Sequence, residues 1–593
     1  MQPPPAPPPA SPAPSLARQQ PEPGSGYRAK PGWQFARQAV AAANPLAAEA
    51  GAQMLREGGS AIDAAIAAQL VLGLVEPQSS GIGGGAFLLY WDGRRVQAYD
   101  GRETAPATAD EALLLRADGQ PMGFMEGAVG GRAVGVPGVV RMLEMAHREH
   151  GRLPWAQLFL PAIALAEQGF AVSPRLHALL AGESALKRDA QARPFFYAAD
   201  GRPWPVGHRL RNPAYAAVLR QLAEQGSVAL HEGAIAADLV RRVQAHASNP
   251  GRLSLADMAA YRPLRREPLC NLWRERWRIC GFPPPGSGHI AVMQTLYLLD
   301  AAAPAAVDTQ TGLVGAQPDA EWLHRFAESL RLAFADRAQY LADPDFVPAP
   351  AGRWGSLLDT GYLQRRAALI GPRRMEHAPA GRPGPVSGFA AQAEQPEYGT
   401  SHISVVDSQG HALALTTSIE SVFGARLMSD GGTGLAGGFL LNNHLSDFAH
   451  QPRDARGRPV ANRLEPGKRP RSAMSPTLVF DQQQGGRLQM SLGSPGGAAI
   501  IPFVAQTLVG TLAWRLDAQR AIDLPHAAAL GGDGGSLLVE QGGFAETTLQ
   551  GLRERGHRPQ PTALPSGLQA IERRGPGWFG AADPRREGEV RGD

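Results

Sequence analysis

Tyr398-Gly399-Thr400-Ser401-His402-Ile403-Ser404-Val405-Val406-Asp407 is the stretch on which the reading of this chain turns. Its alternation predicts a β-strand opening at Thr400, with His402, Ser404 and Val406 on one face and Ile403 and Val405 on the other. A second strand over 411–418 follows across Ser408-Gln409-Gly410, so the two are expected to pair. If the Gly399–Thr400 peptide bond were cut, Thr400 would hold both a hydroxyl nucleophile and, in its new α-amine, a general base. Such an amine titrates near ~8 in model peptides and takes up the hydroxyl proton close to neutral pH. On these residues alone, a β-branched residue opening a strand after glycine is an equally open reading.

Outward from this segment the chain reads as mixed α and β. Helices are predicted over 46–58 and 61–74, separated by Gly58-Gly59, and over 138–150, 155–168, 213–224, 232–247 and 319–341. In the last, Trp322, Phe326, Leu330 and Phe334 share one face. Residues 86–91 form a strand turned at Asp92-Gly93 into 96–99. Residues 370–396, rich in proline, glycine and alanine, read as an exposed linker leading to the cut. Strands are expected at 437–442, 476–480 and 487–492, and a helix at 501–513. Periodicity alone says only that sheets are covered by helices.

The 593 residues exceed one ordinary compact core, so two domains or one large layered domain are expected. With 44% hydrophobic and 19% charged residues the composition is globular. No apolar run reaches the roughly 18 residues of a membrane span. A net charge of +4, with dispersed arginines, gives no nucleic-acid partner. Residues 1–34 read as a disordered, proline-rich extension, because their first 25 positions carry almost no bulky apolar side chains. No apolar stretch of roughly 7–15 residues follows a basic start. Either the chain is cytoplasmic or a leader lies outside it; a periplasmic or secreted location is the expectation, with cytoplasmic the alternative. Cys270 and Cys280 fall opposite each other if 270–280 is a hairpin centred on Glu275, which allows a disulfide. Two reduced, partly buried thiols are the equal alternative. Two cysteines without paired histidines make no zinc site, and no metal or cofactor is expected.

Gly81-Ile82-Gly83-Gly84-Gly85-Ala86 fits a dinucleotide fingerprint in letters but runs on into a strand where a helix is required. No G-x-S-x-G, H-E-x-x-H or Walker A string occurs, which removes the commonest serine hydrolase, zinc protease and NTPase readings.

Across its whole length, however, the chain resembles the γ-glutamyltransferase (γ-glutamyltranspeptidase) family of N-terminal-nucleophile hydrolases. The blocks that carry the resemblance run in order. They include Gly58-Gly59-Ser60-Ala61-Ile62-Asp63-Ala64-Ala65, Asp100-Gly101-Arg102-Glu103-Thr104-Ala105-Pro106, Val136-Pro137-Gly138, Ala333-Phe334-Ala335-Asp336-Arg337, Gly399-Thr400, Leu441-Asn442-Asn443, Lys468-Arg469-Pro470, Met474-Ser475-Pro476-Thr477 and Gly493-Ser494-Pro495-Gly496-Gly497. The resemblance implies an α+β, four-layer αββα sandwich built jointly by two fragments, 35–399 and 400–593, that remain together as a heterodimer. It implies self-cleavage at Gly399–Thr400. It also implies breakdown of γ-glutamyl amides, glutathione among them, through a glutamyl–Thr400 acyl-enzyme resolved by water or by an amino acid or peptide.

By the same resemblance, Ser418 orients Thr400, and Gly496 and Gly497 offer backbone N–H groups to an oxyanion. Arg102 grips the substrate α-carboxylate with help from Ser472, and Asp447 takes the α-ammonium. Three positions depart from the family pattern. Glu420 stands where asparagine is frequent, His444 where glutamine or glutamate is usual, and Ala473 replaces the second serine of a pair. Glu420 and Asp447 together still supply negative charge for an ammonium. Loss of the second serine removes a contact worth about 1–3 kcal/mol. No tyrosine or tryptophan lies between Asp447 and Ser472, so an open site favouring hydrolysis is expected. A glutaryl or cephalosporin-type acylase, and an unprocessed, catalytically silent homologue, are the alternatives.

Overall fold

Strand Ser401–Val406 runs through the interior of a seven-stranded antiparallel sheet, paired with Ala39–Ala42 on one side and Ala412–Ser418 on the other. In the computed structural model, which describes residues 22–302, 312–314, 317–393, 395–531 and 536–593, the full order of this sheet is Glu589–Gly592, Ala39–Ala42, Ser401–Val406, Ala412–Ser418, Gly85–Trp91, Val96–Asp100 and Leu264–Arg266. A second antiparallel sheet runs Trp33–Phe35, Gly577–Ala582, Gln569–Arg574, Arg487–Gly493, Thr477–Asp481, Trp277–Gly281 and Leu269–Trp273. Each sheet mixes strands from both sides of residue 399, and no strand spans it, so a cut there leaves every strand ladder whole.

The period of two in each strand sorts the side chains into layers. Ile403 and Val405, with Val40, Ala42, Leu413 and Leu415, pack under helices Pro45–Arg56 and Ala61–Val75. Ala39, Ala41, Phe87, Leu89 and Ala414 face Leu478, Phe480, Leu488 and Ile571 across the gap between the sheets. On the far side of the second sheet, Ile279, Val479, Met490 and Leu492 meet helices Gly288–Ala301, Ala320–Tyr340 and Ile500–Leu508. The result is the expected αββα sandwich. Helix Ala61–Val75 is apolar on every side because it is buried on every side. Ser60 and Asp63 start it with a reciprocal capping box.

Between the sheets the packing is partly polar. His402 holds Thr416 Oγ1 at 2.9 Å through Nδ1 and Ser404 Oγ at 3.1 Å through Nε2. Burial pushes the imidazole down to about 3, so it is neutral. Gly493 of the facing sheet makes room for it: a Cβ there would lie 2.2 Å from His402 Cε1.

Several expectations need correction. Residues 22–34 are not a disordered extension. Ser25 N–H donates to Arg585 O, Arg28 N–H donates to Pro584 O, Glu22 is buried against Arg175, and Trp33–Phe35 pairs with Gly577–Ala582. Residues 1–21 lie outside the described residues. The end of 370–396 is no exposed linker either: Ala390 and Gln392 are buried, their N–H groups donating to Pro459 O and Ala338 O. The strand expected over 437–442 is only Phe439–Leu440, paired with Met428–Ser429. The helix of 501–513 starts at Ile500 and ends in a wider π turn, Val509–Ala513. Cys270 and Cys280 are register partners in the Leu269–Gly281 hairpin and are joined as a disulfide.

Gly493→Ala forces a methyl group into the His402 ring, so it is expected to lower stability by about 1–3 kcal/mol in urea denaturation. An unchanged midpoint and slope would contradict this packing.

Candidate active site

The strand ladder ends at the Ser401–Thr417 pair, which brings Thr400 and Ser418 together just beyond it. Both hydroxyls reach one acceptor. Thr400 Oγ1 and Ser418 Oγ each donate to the carbonyl oxygen of Gly399 at 2.6 Å. Ser418 Oγ is held in turn by the Glu420 N–H at 2.8 Å. That bond is made possible by Glu420 adopting φ 77, a left-handed conformation costly for a non-glycine residue. Gly399 itself has no room for a side chain: a Cβ would lie 2.3 Å from Glu22 Oε1 and 2.6 Å from the Glu420 carbonyl oxygen.

Gly496 and Gly497 lie just before helix Ile500–Leu508 with φ of 128° and 57°. A Cβ on Gly497 would stand 1.9 Å from Glu397 O, so glycine lets this turn close on the segment leading to Thr400. Gly497 shares a cavity with Thr400, Ser418, Glu420, His444, Asp447 and Ser472; Gly496 does not line it. The cavity is about 20 Å³, enough for roughly one water. With Gly399–Thr400 intact the site is therefore too small for a substrate. The residues before the bond, Glu397 and Tyr398, help to wall it.

Arg102 does not reach this cavity. Its side chain is buried and fully engaged: it pairs with Asp447, donates to Pro470 O (3.2 Å) and Arg471 O (3.3 Å), and lies 3.5 Å from Glu103 Oε2. The residues expected to hold opposite ends of a substrate thus hold each other. Ser472 Oγ accepts from Met474 N–H, while its carbonyl takes both the N–H and hydroxyl of Ser287 at 2.7 Å. His444 Nδ1 lies 2.8 Å from Glu103 Oε1. Burial pushes the Glu103 carboxyl up to about 8 and the His444 imidazole far down, so at neutral pH the carboxyl is protonated and the imidazole uncharged. Burial, then Asp447, raises Glu420 well above the usual carboxylate range. Burial also raises Asp447, against the pull of Arg102. Glu420 is thereby disfavoured as the second negative charge expected for an ammonium. Among the described residues no group of three or more His, Cys, Asp or Glu is placed to hold a metal.

No site role was expected from the sequence for Glu103, Glu397, Arg337 or Arg471. Both oxygens of Glu397 accept from Arg337 Nη2, at 2.6 and 2.8 Å, and Arg471 Nη2 lies 3.6 Å away. Burial opposes the Glu397 charge, but Arg337 and Arg471 outweigh it and hold the carboxyl below its usual range. The available signal was a glutamate three residues before the proposed cut, between the proline-rich segment 370–396 and the strand.

The model of the γ-glutamyltranspeptidase family matches residues 47–592, and the chain belongs to that family. It is 33% identical over 567 residues to a glutathione hydrolase proenzyme of Bacillus subtilis (strain 168), covering 93% of this chain and 91% of that one. To an acylase ACY 1 proenzyme of Pseudomonas sp. (strain V22) it is 34% identical over 538 residues, covering 89% and 88%. Among solved structures, a cephalosporin acylase from Bacillus halodurans superposes with a TM-score of 0.80 at 25% identity, covering 99% of this chain and 98% of that one.

Because folded Glu103 keeps a proton that the unfolded chain releases near ~4.3, its contribution to stability falls as pH rises from there to about 8. Glu103→Gln, a fixed neutral analogue, is expected to gain melting temperature relative to the parent at pH 8.5 but not at pH 4. Equal shifts at both pH values would contradict a protonated Glu103.

Proposed function

We propose that the chain cuts itself between Gly399 and Thr400 and then works as a γ-glutamyltransferase and hydrolase with Thr400 as nucleophile. The observation that carries this reading is the convergence of the Thr400 and Ser418 hydroxyls on the carbonyl of Gly399, beside a small cavity lined by carboxyl groups. In the cut, Thr400 Oγ attacks the Gly399 carbonyl carbon. The carbonyl oxygen gains negative charge, which the Ser418 hydroxyl stabilises. The C–N bond breaks and the hydroxyl proton ends on the departing nitrogen. Water hydrolyses the resulting Gly399–Thr400 ester, leaving a carboxylate on Gly399 and a free amine on Thr400.

In turnover that amine takes the Thr400 hydroxyl proton as Oγ attacks the γ-carbonyl of the substrate, and Gly497, which lines the cavity, offers its N–H to the developing oxyanion. The leaving amine departs with the proton. Water or the amine of an amino acid or peptide then releases the glutamyl group. Arg102 and Asp447, paired in the uncut chain, separate to take the α-carboxylate and α-ammonium of the glutamyl group, and Ser472 adds a hydroxyl. The small-molecule substrate, the acceptor and the heterodimer of the chain's own fragments follow from this reading. No described helix is long and apolar enough to cross a membrane. The Cys270–Cys280 disulfide favours an oxidising compartment, periplasmic or extracellular.

A glutaryl or cephalosporin-type acylase is the second reading. It is favoured by the Ala473 methyl group, which lines the cavity where a second serine hydroxyl was expected. γ-Glutamyl-p-nitroanilide and glutaryl-p-nitroanilide separate the two: the first is expected to be cleaved with the higher kcat/KM. The reverse order would establish the acylase.

Thr400→Ala is expected to fold as one uncut chain without activity, and retained activity would refute the nucleophile. Ser418→Ala is expected to slow appearance of the fragments by about 10²-fold or more on a denaturing gel, the loss typical of a removed oxyanion donor. Unchanged processing would remove Ser418 from the cut.

A further inference from the structure

The Glu397 carboxylate occupies a site that exists without it. Arg337 is anchored on the scaffold by its Nε, which donates to Ser287 Oγ at 2.8 Å. Arg471 is anchored by its Nη1, which donates to the Arg337 carbonyl oxygen at 3.2 Å, and by its own N–H on Asn462 Oδ1 at 3.0 Å. Neither arrangement uses Glu397. What remains of the two guanidinium groups, Arg337 Nη2 and Arg471 Nη2, points at one carboxylate, and Arg471 Nε is buried with no hydrogen-bond partner. Both arginines are almost wholly buried.

Their position relative to the nucleophile is specific. Arg337 and Arg471 line a cavity of about 1240 Å³ that also touches Gln392, Gln395 and Ala498. They do not line the small cavity at Thr400. Glu397 lines both and so lies between them. The small cavity holds Asp447 and Ser472, two of the groups expected to bind the acyl part of a substrate, which leaves the large one on the side of the leaving group and the acceptor.

We propose that Arg337 and Arg471 form a carboxylate subsite for the leaving group or acceptor peptide, filled by Glu397 in the uncut chain and opened when the segment ending at Gly399 is released. This rests on the reading of the chain as self-cleaving. Release separates Glu397 from the covalent tether that holds it three residues from Thr400. Two buried guanidinium groups left facing each other without a counter-charge are costly, so the opened site favours another carboxylate. The ligand class is a short peptide with a free C-terminal carboxylate. A peptide amide or an aromatic amine lacks the group the arginines select. Glu397 acts before the cut as a built-in occupant that keeps such peptides out.

The test is calorimetric titration of the processed, full-chain protein with glycylglycine and glycylglycinamide. The acid is expected to bind at least about tenfold more tightly than the amide, as charge-assisted bonds to a guanidinium require. Arg471→Leu is expected to bring the two affinities within about twofold, and uncut Thr400→Ala protein is expected to bind neither. Equal affinity for acid and amide in the processed parent protein overturns the subsite, a comparison that needs no variant to fold or process. An acid preference undiminished in Arg471→Leu, or already present in the uncut protein, overturns it as well. γ-Glutamyl-p-nitroanilide turnover, measured alongside, tests the proposed activity separately. Acid-selective binding without turnover keeps the subsite and rejects that activity, whereas turnover without acid selectivity does the opposite.

Discussion

The position of Thr400 is fixed by strand Ser401–Val406, which is hydrogen-bonded on both edges within the first sheet. A strand paired on both sides and buried on both faces has one register available, since a one-residue slip would exchange Ile403 and Val405 with His402 and Ser404. The neighbouring strand then delivers Ser418 to the same carbonyl oxygen. The sheet is thus the positioning device. The chemistry asks only that the strand begin with a hydroxyl residue after a glycine too crowded to be anything else.

Around that point the site is built from buried charge, and burial decides its protonation. Glu103, Glu420 and Asp447 are all pushed upward, while Glu397 stays ionised because two arginines offset its desolvation. The same guanidinium–carboxylate chemistry appears at Arg102–Asp447 and at Arg337–Glu397. In the uncut chain each guanidinium faces its own carboxylate, and the cavity at Thr400 has room for roughly one water. The residues that would recognise a substrate are therefore occupied by one another and by the segment leading to the cut.

Much of this was legible in the sequence, for a physical reason in each case. The helices over 45–56, 61–75 and 320–340 and the strands of 85–100 and 401–418 carry unbroken periodicity, and the structure places them within a residue or two of the reading. The tail at 22–34 was misread because composition reports the capacity to form a core, not the capacity to dock on one; Glu22 is held by Arg175, a residue 153 positions away. The end of 370–396 was misread for the same reason: Ala390 and Gln392 are held through their backbone N–H groups by Pro459 O and Ala338 O, parts of the chain distant in sequence. Arg102 was found as a residue, but its pairing with Asp447 depends on the fold and could not be read from either position alone.

The central claim is that the sheet holds Gly399–Thr400 ready to break, and it is tested most directly by intact mass and N-terminal sequencing of freshly purified protein. Two fragments that co-elute without denaturant are expected, 1–399 and 400–593, the second beginning Thr400-Ser401-His402-Ile403. A single chain that stays whole through prolonged incubation, or a new terminus at any other bond, would contradict it.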